Sequence, residues 1–170
     1  MYMSFTLNLE NTMNYLHKQG AFLTTRNDKT TNTMTISWGN IGFEWNRPIF
    51  TILVRKSRYT HEIIDKSQEF SVSVPFNDNF KKALALCGSK SGRDLDKITE
   101  SGLTLREGQV IATPSIVGCE MVYECKVVYQ QDMDPNLLSK SIKDSAYKND
   151  DYHTIYYGEI LNIISNDENI

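Results

Sequence analysis

Strict alternation of polar and apolar residues is the feature that most limits how this chain can fold. In Thr33–Trp38 (TMTISW) every second side chain is apolar, and in Phe70–Phe76 (FSVSVPF) the apolar side chains again fall on one face. A period of two is typical of a β-strand that buries one face. The pattern therefore predicts a fold built mainly of strands.

Four more segments predict strands because they alternate in the same way or are rich in β-branched and aromatic residues. They are residues 21–25, 49–54, 121–129 and 153–164. Capping residues predict four helices between the strands. These are Arg58–Lys66 after Ser57; a helix after Asn77 or Asp78 that carries Phe80, Leu84 and Cys87 on one stripe and ends at Gly88; Asp94–Glu100; and a helix from Asp134 and Pro135 to about Ser145 that faces the core with Leu138 and Ile142.

The order of these elements predicts the fold class. Helices do not alternate regularly with strands, which argues against a doubly wound parallel sheet and for a closed antiparallel barrel with helical excursions. No Pro, Gly or Ser-rich linker divides the 170 residues, so residues 1–170 are predicted to form one domain.

Charge and hydrophobicity exclude several classes of partner. The formal net charge of −3 offers no basic excess for nucleic acid or for an anionic membrane surface. The longest apolar stretch, Ile49–Val54, is far shorter than the roughly 20 residues of a membrane span, and the N-terminus lacks a basic region followed by an apolar run. We therefore expect a cytoplasmic protein.

The nucleophilic and metal-binding residue types show no pattern typical of a catalytic or metal site. The three cysteines lack a CxxC spacing and lie beside apolar runs, which predicts reduced thiols packed in the core. The three histidines are scattered, and no HExxH, GxSxG or zinc motif is present. We expect neither a metal site nor a catalytic side chain.

The segment LVRKSRYT, residues 53–60, predicts an anion site. A predicted strand ends here in Arg55, Lys56 and Arg58, and a helix begins, with Ser57 and Thr60 among the cations. Helix N-terminal amides, hydroxyls and guanidinium groups are the donors that a phosphate monoester requires. The alternative is a capping serine beside solvated basic residues.

Two further segments admit a binding or a structural interpretation. CGSKSGRDLDK, residues 87–97, can bend around an anion, or it can be a loop with its cations in solvent; it matches neither a P-loop nor a dinucleotide-binding glycine motif. TMTISWGNIGFEW, residues 33–45, brings aromatic walls and a strand end that suit a planar ligand such as a flavin. Its aromatic residues can equally fill a core or a dimer interface.

Taken together, residues 32–64, 69–75, 87–94 and 151–160 resemble the flavin reductase-like FMN-binding family, and most of all its flavoredoxin branch. TISWG and RKSRYT carry the resemblance best. It implies an antiparallel split β-barrel that forms a homodimer, with flavin mononucleotide (FMN) near the subunit interface. The implied cofactor-binding residues are Asn32, Thr35, Ile36, Ser37 and Trp38 at the ring, Arg55, Lys56, Ser57 and Thr60 at the phosphate, Ser89, Lys90, Ser91 and Arg93 at either, and His153 near the flavin.

The function implied is that of an FMN-dependent oxidoreductase or a flavoredoxin-like electron carrier, with a redox protein or NAD(P)H as electron partner. Alternatives are an NAD(P)H:flavin reductase that uses FMN as a substrate, a flavin-binding protein without turnover, and a purely structural dimer. The chain has Asp151-Tyr152-His153 where many NAD(P)H-using relatives have Gly-Asp-His. This difference leaves direct use of NAD(P)H open. Lys90 or Arg93 is the expected positive group that stabilises a reduced flavin.

Overall fold

A computed structural model describes residues 4–28 and 30–166, so both ends of the predicted domain lie outside it. The strands are β1 (Ala21–Asn27), β2 (Thr30–Ile36), β3 (Gly39–Glu44), β4 (Arg47–Arg55), β5 (Glu69–Val74), β6 (Leu105–Arg106), β7 (Ser115–Ile116), β8 (Met121–Asp132) and β9 (His153–Ser165). The helices are α1 (Leu9–Lys18), α2 (Tyr59–Ser67), α3 (Lys81–Ser89), α4 (Lys97–Glu100) and α5 (Lys140–Ala146).

Seven strands form one antiparallel sheet in the order β2-β1-β5-β8-β9-β4-β3, and β6 pairs with β7. All six predicted strands are present, and the predicted antiparallel β class is confirmed. The two edge strands, β2 and β3, are separated in the chain only by Ser37 and Trp38. Because three residue steps span at most about 11 Å, the two edges of the sheet come close together there.

The inner face of the curled sheet is filled by side chains from six strands. Leu23, Ile36, Phe50, Val72, Tyr123 and Tyr156, from β1, β2, β4, β5, β8 and β9, belong to one buried cluster. Each large apolar side chain buried in this way contributes about 1.5–3 kcal/mol. A second cluster lies where α3 packs Leu84 and Cys87 against Phe22 of β1 and Val122 of β8. The alternation in the sequence therefore identifies the side chains that lie on the inner face of the sheet.

The three cysteines are free and buried, which confirms the prediction of core thiols. Cys87 and Cys119 lie in the α3 cluster, and Cys125 lies in the main core. Burial raises the pKa of all three thiols, so none of them is set up as a reactive thiolate.

The last predicted helix is wrong in extent and orientation. The side chain of Asp134 accepts only from the amide of Asn136, and the segment makes a turn instead of a helix. Helix α5 begins six residues later, at Lys140, and its Ile142 is 48% exposed. Ser139, Ser141 and Ser145 make local polar contacts along this segment, which compete with a longer helix.

The positions of the other predicted helices agree with the structure, but their ends differ. α2 is confirmed, but its N-cap is Arg58, because Ser57 hydrogen-bonds to Asp151. The helix predicted over Asp94–Glu100 is the four-residue α4, capped by Asp96. The sequence prediction missed α1, whose left-handed N-cap makes no side-chain hydrogen bond to the helix, and strand β3, which has no buried residue. In the described part of the chain no helix is long and apolar enough to cross a membrane.

Candidate flavin-binding crevice

Two adjoining cavities lie where β2 and β4 end. The strand-edge cavity, about 170 Å³, is lined by Met34, Thr35, Ile36, Ser37, Trp38, Leu53, Arg55, Arg58 and His153. The loop cavity, about 130 Å³, is lined by Asn32, Met34, Ser57, Arg58, Tyr59, Thr60, Cys87, Lys90, Ser91, Gly92, Arg93 and Lys97. Because Met34 and Arg58 line both, the two cavities share a wall, and we call the pair the crevice.

The strand-edge cavity has one apolar and one imidazole wall. Trp38 is 46% exposed, and its ring centroid lies 5.4 Å from that of His153. The imidazole Nδ1 of His153 shares a 2.7 Å hydrogen bond with the hydroxyl of Tyr147. Burial lowers the pKa of His153 to about 4, and Arg55, its cross-strand partner, adds to this effect. The imidazole is therefore neutral at pH 7.

Arg55 is fixed by the chain segment that precedes β9. Its guanidinium donates to the carbonyl oxygens of Asp151, at 2.5 Å, and of Ala146, at 2.9 Å. It also lies over the ring of Tyr147, 5.1 Å from the centroid. These contacts hold residues 146–152, which we call the strap, against the end of β4. Arg55 shapes the cavity wall, while two of its five guanidinium N–H donors bond to carbonyl oxygens of the strap.

Ser57 also contacts the strap. Its hydroxyl donates to one carboxylate oxygen of Asp151 at 2.6 Å, and its amide donates to the other at 3.3 Å. The two donors that a phosphate would use at the start of α2 are thus occupied by a carboxylate of the chain itself.

Arg58 has a cationic side chain with few contacts to the other described residues. Its one hydrogen bond is a long contact of 3.5 Å to the carbonyl of Gly88. Arg58 was predicted to lie in the cationic cluster but was not among the predicted cofactor-binding residues. Its position as the third cation of RKSRYT was the sequence feature that could have identified it. Since it lines both cavities, its guanidinium can reach an anion in either.

The loop after α3 closes the loop cavity over Asn32 and Tyr59. A Cβ atom on Gly92 would lie 2.1 Å from Oδ1 of Asn32, so only glycine allows the loop to approach so closely. Asn32 in turn donates to the hydroxyl of Thr60 at 2.8 Å. The ammonium of Lys90 extends from this loop and makes no hydrogen bond or ion pair with any of the described residues.

Lys97 is a buried cation that sequence analysis missed. It is 4% exposed, and its ammonium donates to the carbonyl of Cys87 at 3.2 Å. Burial lowers its pKa; the neighbouring Cys87 opposes this effect and Arg58 adds to it. Lys97 also lines an outer cavity of about 450 Å³ that borders the loop cavity. Its position inside a short helix gave no sequence signal for a ligand.

Arg93 is held at the rim of the loop cavity. Its guanidinium donates to the carbonyl of Ser57 at 3.1 Å, pairs with Glu62 and lies over the ring of Tyr59. Arg93 thereby ties the loop to α2, and it lies on the loop cavity, as Lys90 does, and not on the strand-edge cavity.

The structure brings twelve of the fourteen predicted cofactor-binding residues to the crevice. Thr35, Ile36, Ser37, Trp38, Arg55 and His153 line the strand-edge cavity, and Asn32, Ser57, Thr60, Lys90, Ser91 and Arg93 line the loop cavity. Two residues are not brought there. The ammonium of Lys56 pairs with Asp132 at 2.5 Å, and the hydroxyl of Ser89 bonds back to the carbonyl of Ala85.

The crevice offers hydrogen-bond donors and cations, and no acidic cluster suited to a metal. Among residues 4–28 and 30–166 no group of three or more His, Cys, Asp or Glu side chains could hold a metal ion. The family model described as the flavin reductase like domain matches residues 13–170. The chain belongs to this family.

Several known proteins are similar to this chain. An uncharacterized protein of Archaeoglobus fulgidus is 28% identical over 157 residues, which cover 92% of this chain and 78% of the relative. The crystal structure of flavoredoxin from Methanosarcina acetivorans is 25% identical with a TM-score of 0.70, covering 89% of this chain and 70% of that one. An FMN-binding protein from Thermus thermophilus is 20% identical with a TM-score of 0.68, covering 86% and 69%. These structures share the fold.

The residues of the crevice fit a flavin mononucleotide. The loop cavity has two little-used cations, Arg58 and Lys90, and the buried Lys97, which suit a phosphate monoester. The strand-edge cavity borders the edge strand β2, whose outward backbone groups are free to pair with the polar edge of a planar ring.

Proposed function

We propose that this protein binds FMN in the crevice and works as a flavin-dependent oxidoreductase or flavoredoxin-like electron carrier. The observation that carries the proposal is the adjacency of the two cavities, one bounded by a sheet edge and an indole, the other by cations. The similar structure of an FMN-binding protein from Thermus thermophilus agrees with this arrangement.

The ring of the flavin would lie in the strand-edge cavity. The hydroxyl of Thr35 is already bonded to the carbonyl of Leu84 at 2.6 Å, so residues 35–38 would contact the ring through their backbone. Met34, Leu53 and Trp38 supply apolar surface. Such a mixture of apolar walls and few polar groups is typical of cofactor sites.

The phosphate would lie in the loop cavity. Arg58, Lys90 and Lys97 would neutralise its charge, while the first amides of α2 offer donors at the positive end of the helix dipole. The hydroxyls of Thr60 and Ser91 complete the set. The close approach of Gly92 to Asn32 keeps this loop over the phosphate.

The bound FMN would supply the redox chemistry, and the chain would bind it, orient it and control access of water. Because His153 is neutral at pH 7, it offers a hydrogen bond but no positive charge. The positive groups that border the strand-edge cavity are Arg55 and Arg58, so we expect these residues, more than Lys90 or Arg93, to stabilise an anionic ring in that cavity.

A second copy of the chain would cover the exposed aromatic cluster of Trp45, Tyr129 and Tyr157. Trp45 is 60% exposed and packs against both tyrosines at centroid distances of 6.1 and 5.8 Å. Exposed apolar surface of this kind is typical of an interface between protein chains. A homodimer is the arrangement that we propose for it.

Reconstitution with FMN tests the proposal. Purified protein is mixed with FMN, freed of unbound ligand, and examined by absorbance near ~450 nm, where burial of the ring in an apolar pocket should add fine structure. Retention of one FMN per chain is expected. A protein that takes up no flavin at any concentration would overturn the proposal.

Anaerobic addition of NADH or NADPH then distinguishes the roles. Bleaching of bound flavin identifies a reductase that uses NAD(P)H, whereas a flavin reduced only by a low-potential protein donor identifies a carrier. Fast exchange of FMN during turnover would favour the second candidate, an NAD(P)H:flavin reductase with FMN as substrate. The occupied donors of Ser57 are the observation that supports this candidate.

A further inference from the structure

Asp151 accepts hydrogen bonds from two donors that the proposed phosphate site would use. Its carboxylate accepts from the Ser57 hydroxyl at 2.6 Å and from the Ser57 amide at 3.3 Å. A serine hydroxyl has a single hydrogen to donate. While Asp151 holds that hydrogen, Ser57 cannot donate it to a phosphate.

The strap keeps Asp151 in this position. The backbone carbonyl of the same residue accepts from Arg55 at 2.5 Å, and the amide of Lys56 donates to the carbonyl of Tyr152 at 3.3 Å. Arg55 also binds the carbonyl of Ala146. The carboxylate is therefore anchored through the backbone, and side-chain rotation alone can release Ser57.

We propose that Asp151 is a specificity-determining residue that competes with the flavin phosphate for Ser57 and so weakens the hold on FMN relative to riboflavin. The proposal rests on the proposed FMN function. A phosphate monoester carries nearly two negative charges at pH 7, and a carboxylate beside it is repulsive. Riboflavin has the same ring but no phosphate, so Asp151 should leave its affinity unchanged.

Asparagine at position 151 provides the test. Asp151→Asn replaces the carboxylate with a neutral amide, whose oxygen can still accept from Ser57 but more weakly. The strap should therefore stay folded, while a charged phosphate can take the Ser57 hydrogen bond. The dissociation constants of FMN and riboflavin are measured by quenching of flavin fluorescence. We expect FMN to bind about tenfold more tightly to the variant, which is the order of one hydrogen bond from Ser57 to a charged phosphate. Riboflavin should change less than twofold.

Asp150 offers a matched control. It is exposed, accepts from the hydroxyl of Tyr152, and makes no contact with Ser57. Asp150→Asn removes the same charge one residue away, so it should change the affinity of neither flavin by more than twofold. An equal gain in FMN affinity from both variants would reduce the effect to general surface charge and overturn the proposal.

A double variant tests the route through Ser57. In a Ser57→Ala background, Asp151→Asn should lose most of its tenfold gain, because no hydroxyl remains to be released. An unchanged ratio of FMN to riboflavin affinity in Asp151→Asn, with wild-type protein that binds both flavins, would refute the role of Asp151 and leave the FMN function standing. Wild-type protein that binds neither flavin would refute both.

Discussion

Nδ1 of His153 and the phenol oxygen of Tyr147 lie 2.7 Å apart in the wall of the strand-edge cavity. Both side chains are buried, and Arg55 lies over the tyrosine ring. Burial raises the pKa of Tyr147 and lowers that of His153 to about 4. The pair is therefore neutral over the whole physiological range, and it contributes polarity without charge to the crevice.

The lowered pKa of His153 predicts a loss of stability in mild acid. Above pH 6.5 the imidazole is neutral in both the folded and the unfolded chain. Between pH 6.5 and about 4 the unfolded chain binds a proton that the folded chain does not, so the free energy of unfolding falls as the pH falls. A shift of this size corresponds to at most about 3 kcal/mol. His153→Gln should lose less stability over this range than wild type in urea titrations.

His17 provides the control for this experiment, because it is exposed on α1. His17→Gln should follow the wild-type dependence of stability on pH. If His153→Gln loses as much stability as wild type between pH 7 and pH 4.5, the neutral buried imidazole is refuted as a source of acid sensitivity.

Arg58→Gln should weaken FMN binding by about 10- to 100-fold, because it removes a charge-assisted contact worth about 1.5–3 kcal/mol. The side chain is exposed and makes one long hydrogen bond, so the thermal midpoint should hardly change. Binding is measured by fluorescence titration. Lys56→Gln is the matched control: its ammonium pairs with Asp132 away from the crevice, so FMN affinity should stay within twofold. Equal losses of FMN affinity in both variants would contradict a crevice lined by Arg58 and not by Lys56.

The sequence predicted the sheet better than the helices. Every second side chain of a strand lies on the same face of the sheet, so a buried face gives an alternating sequence. This alternation correctly identified core residues such as Met34 and Ile36, and Phe70 and Val72. The end of a helix depends on which group forms a hydrogen bond with the polar side chain that could cap it. Ser57 has the chemistry of a cap, but the strap supplies Asp151, which lies 94 residues away in the chain and could not be seen locally.

The prediction of the candidate site was limited in the same way, because contacts between distant parts of the chain are not visible in the sequence. The RKSRYT segment was predicted because its donors lie next to one another in sequence, and residues 35–38 were implied by the family resemblance. The structure brings most of these residues to one crevice. Lys97 and the orientation of Lys56 depend instead on tertiary packing. Lys97 is buried by the approach of α4 to β2 and α3, whereas Lys56 turns outward to Asp132 on β8.

Lys97→Met should weaken FMN binding at least tenfold, a loss of about 1.4 kcal/mol or more, without lowering stability. Its ammonium is buried and has one carbonyl as hydrogen-bond partner, so an apolar side chain of similar length removes a costly desolvated charge. Affinity and the urea midpoint are measured together. Lys82→Met, an exposed lysine on α3, controls for net charge. A lower midpoint with unchanged FMN affinity would show that Lys97 is purely structural.

Trp45→Asn should loosen the proposed homodimer and stabilise the monomer. Trp45 and Asn46 form a two-residue turn between β3 and β4 with φ of 54° and 58°. This left-handed conformation costs a bulky residue about 1–2 kcal/mol, whereas asparagine adopts it readily. An exposed tryptophan at a position that disfavours it is best explained by contact with a second chain. Sedimentation equilibrium should show a dimer for wild type and a weaker one for the variant.

Val110 is the control residue, since it is 53% exposed and lies outside the aromatic cluster. Val110→Asn should dimerise as wild type does, while Trp45→Asn should raise the urea midpoint at concentrations where the chain is monomeric. A wild-type chain that stays monomeric at every concentration would rule out the homodimer. An unchanged dimer in Trp45→Asn would place the interface elsewhere, because removal of 60% exposed indole surface from a true contact must weaken it.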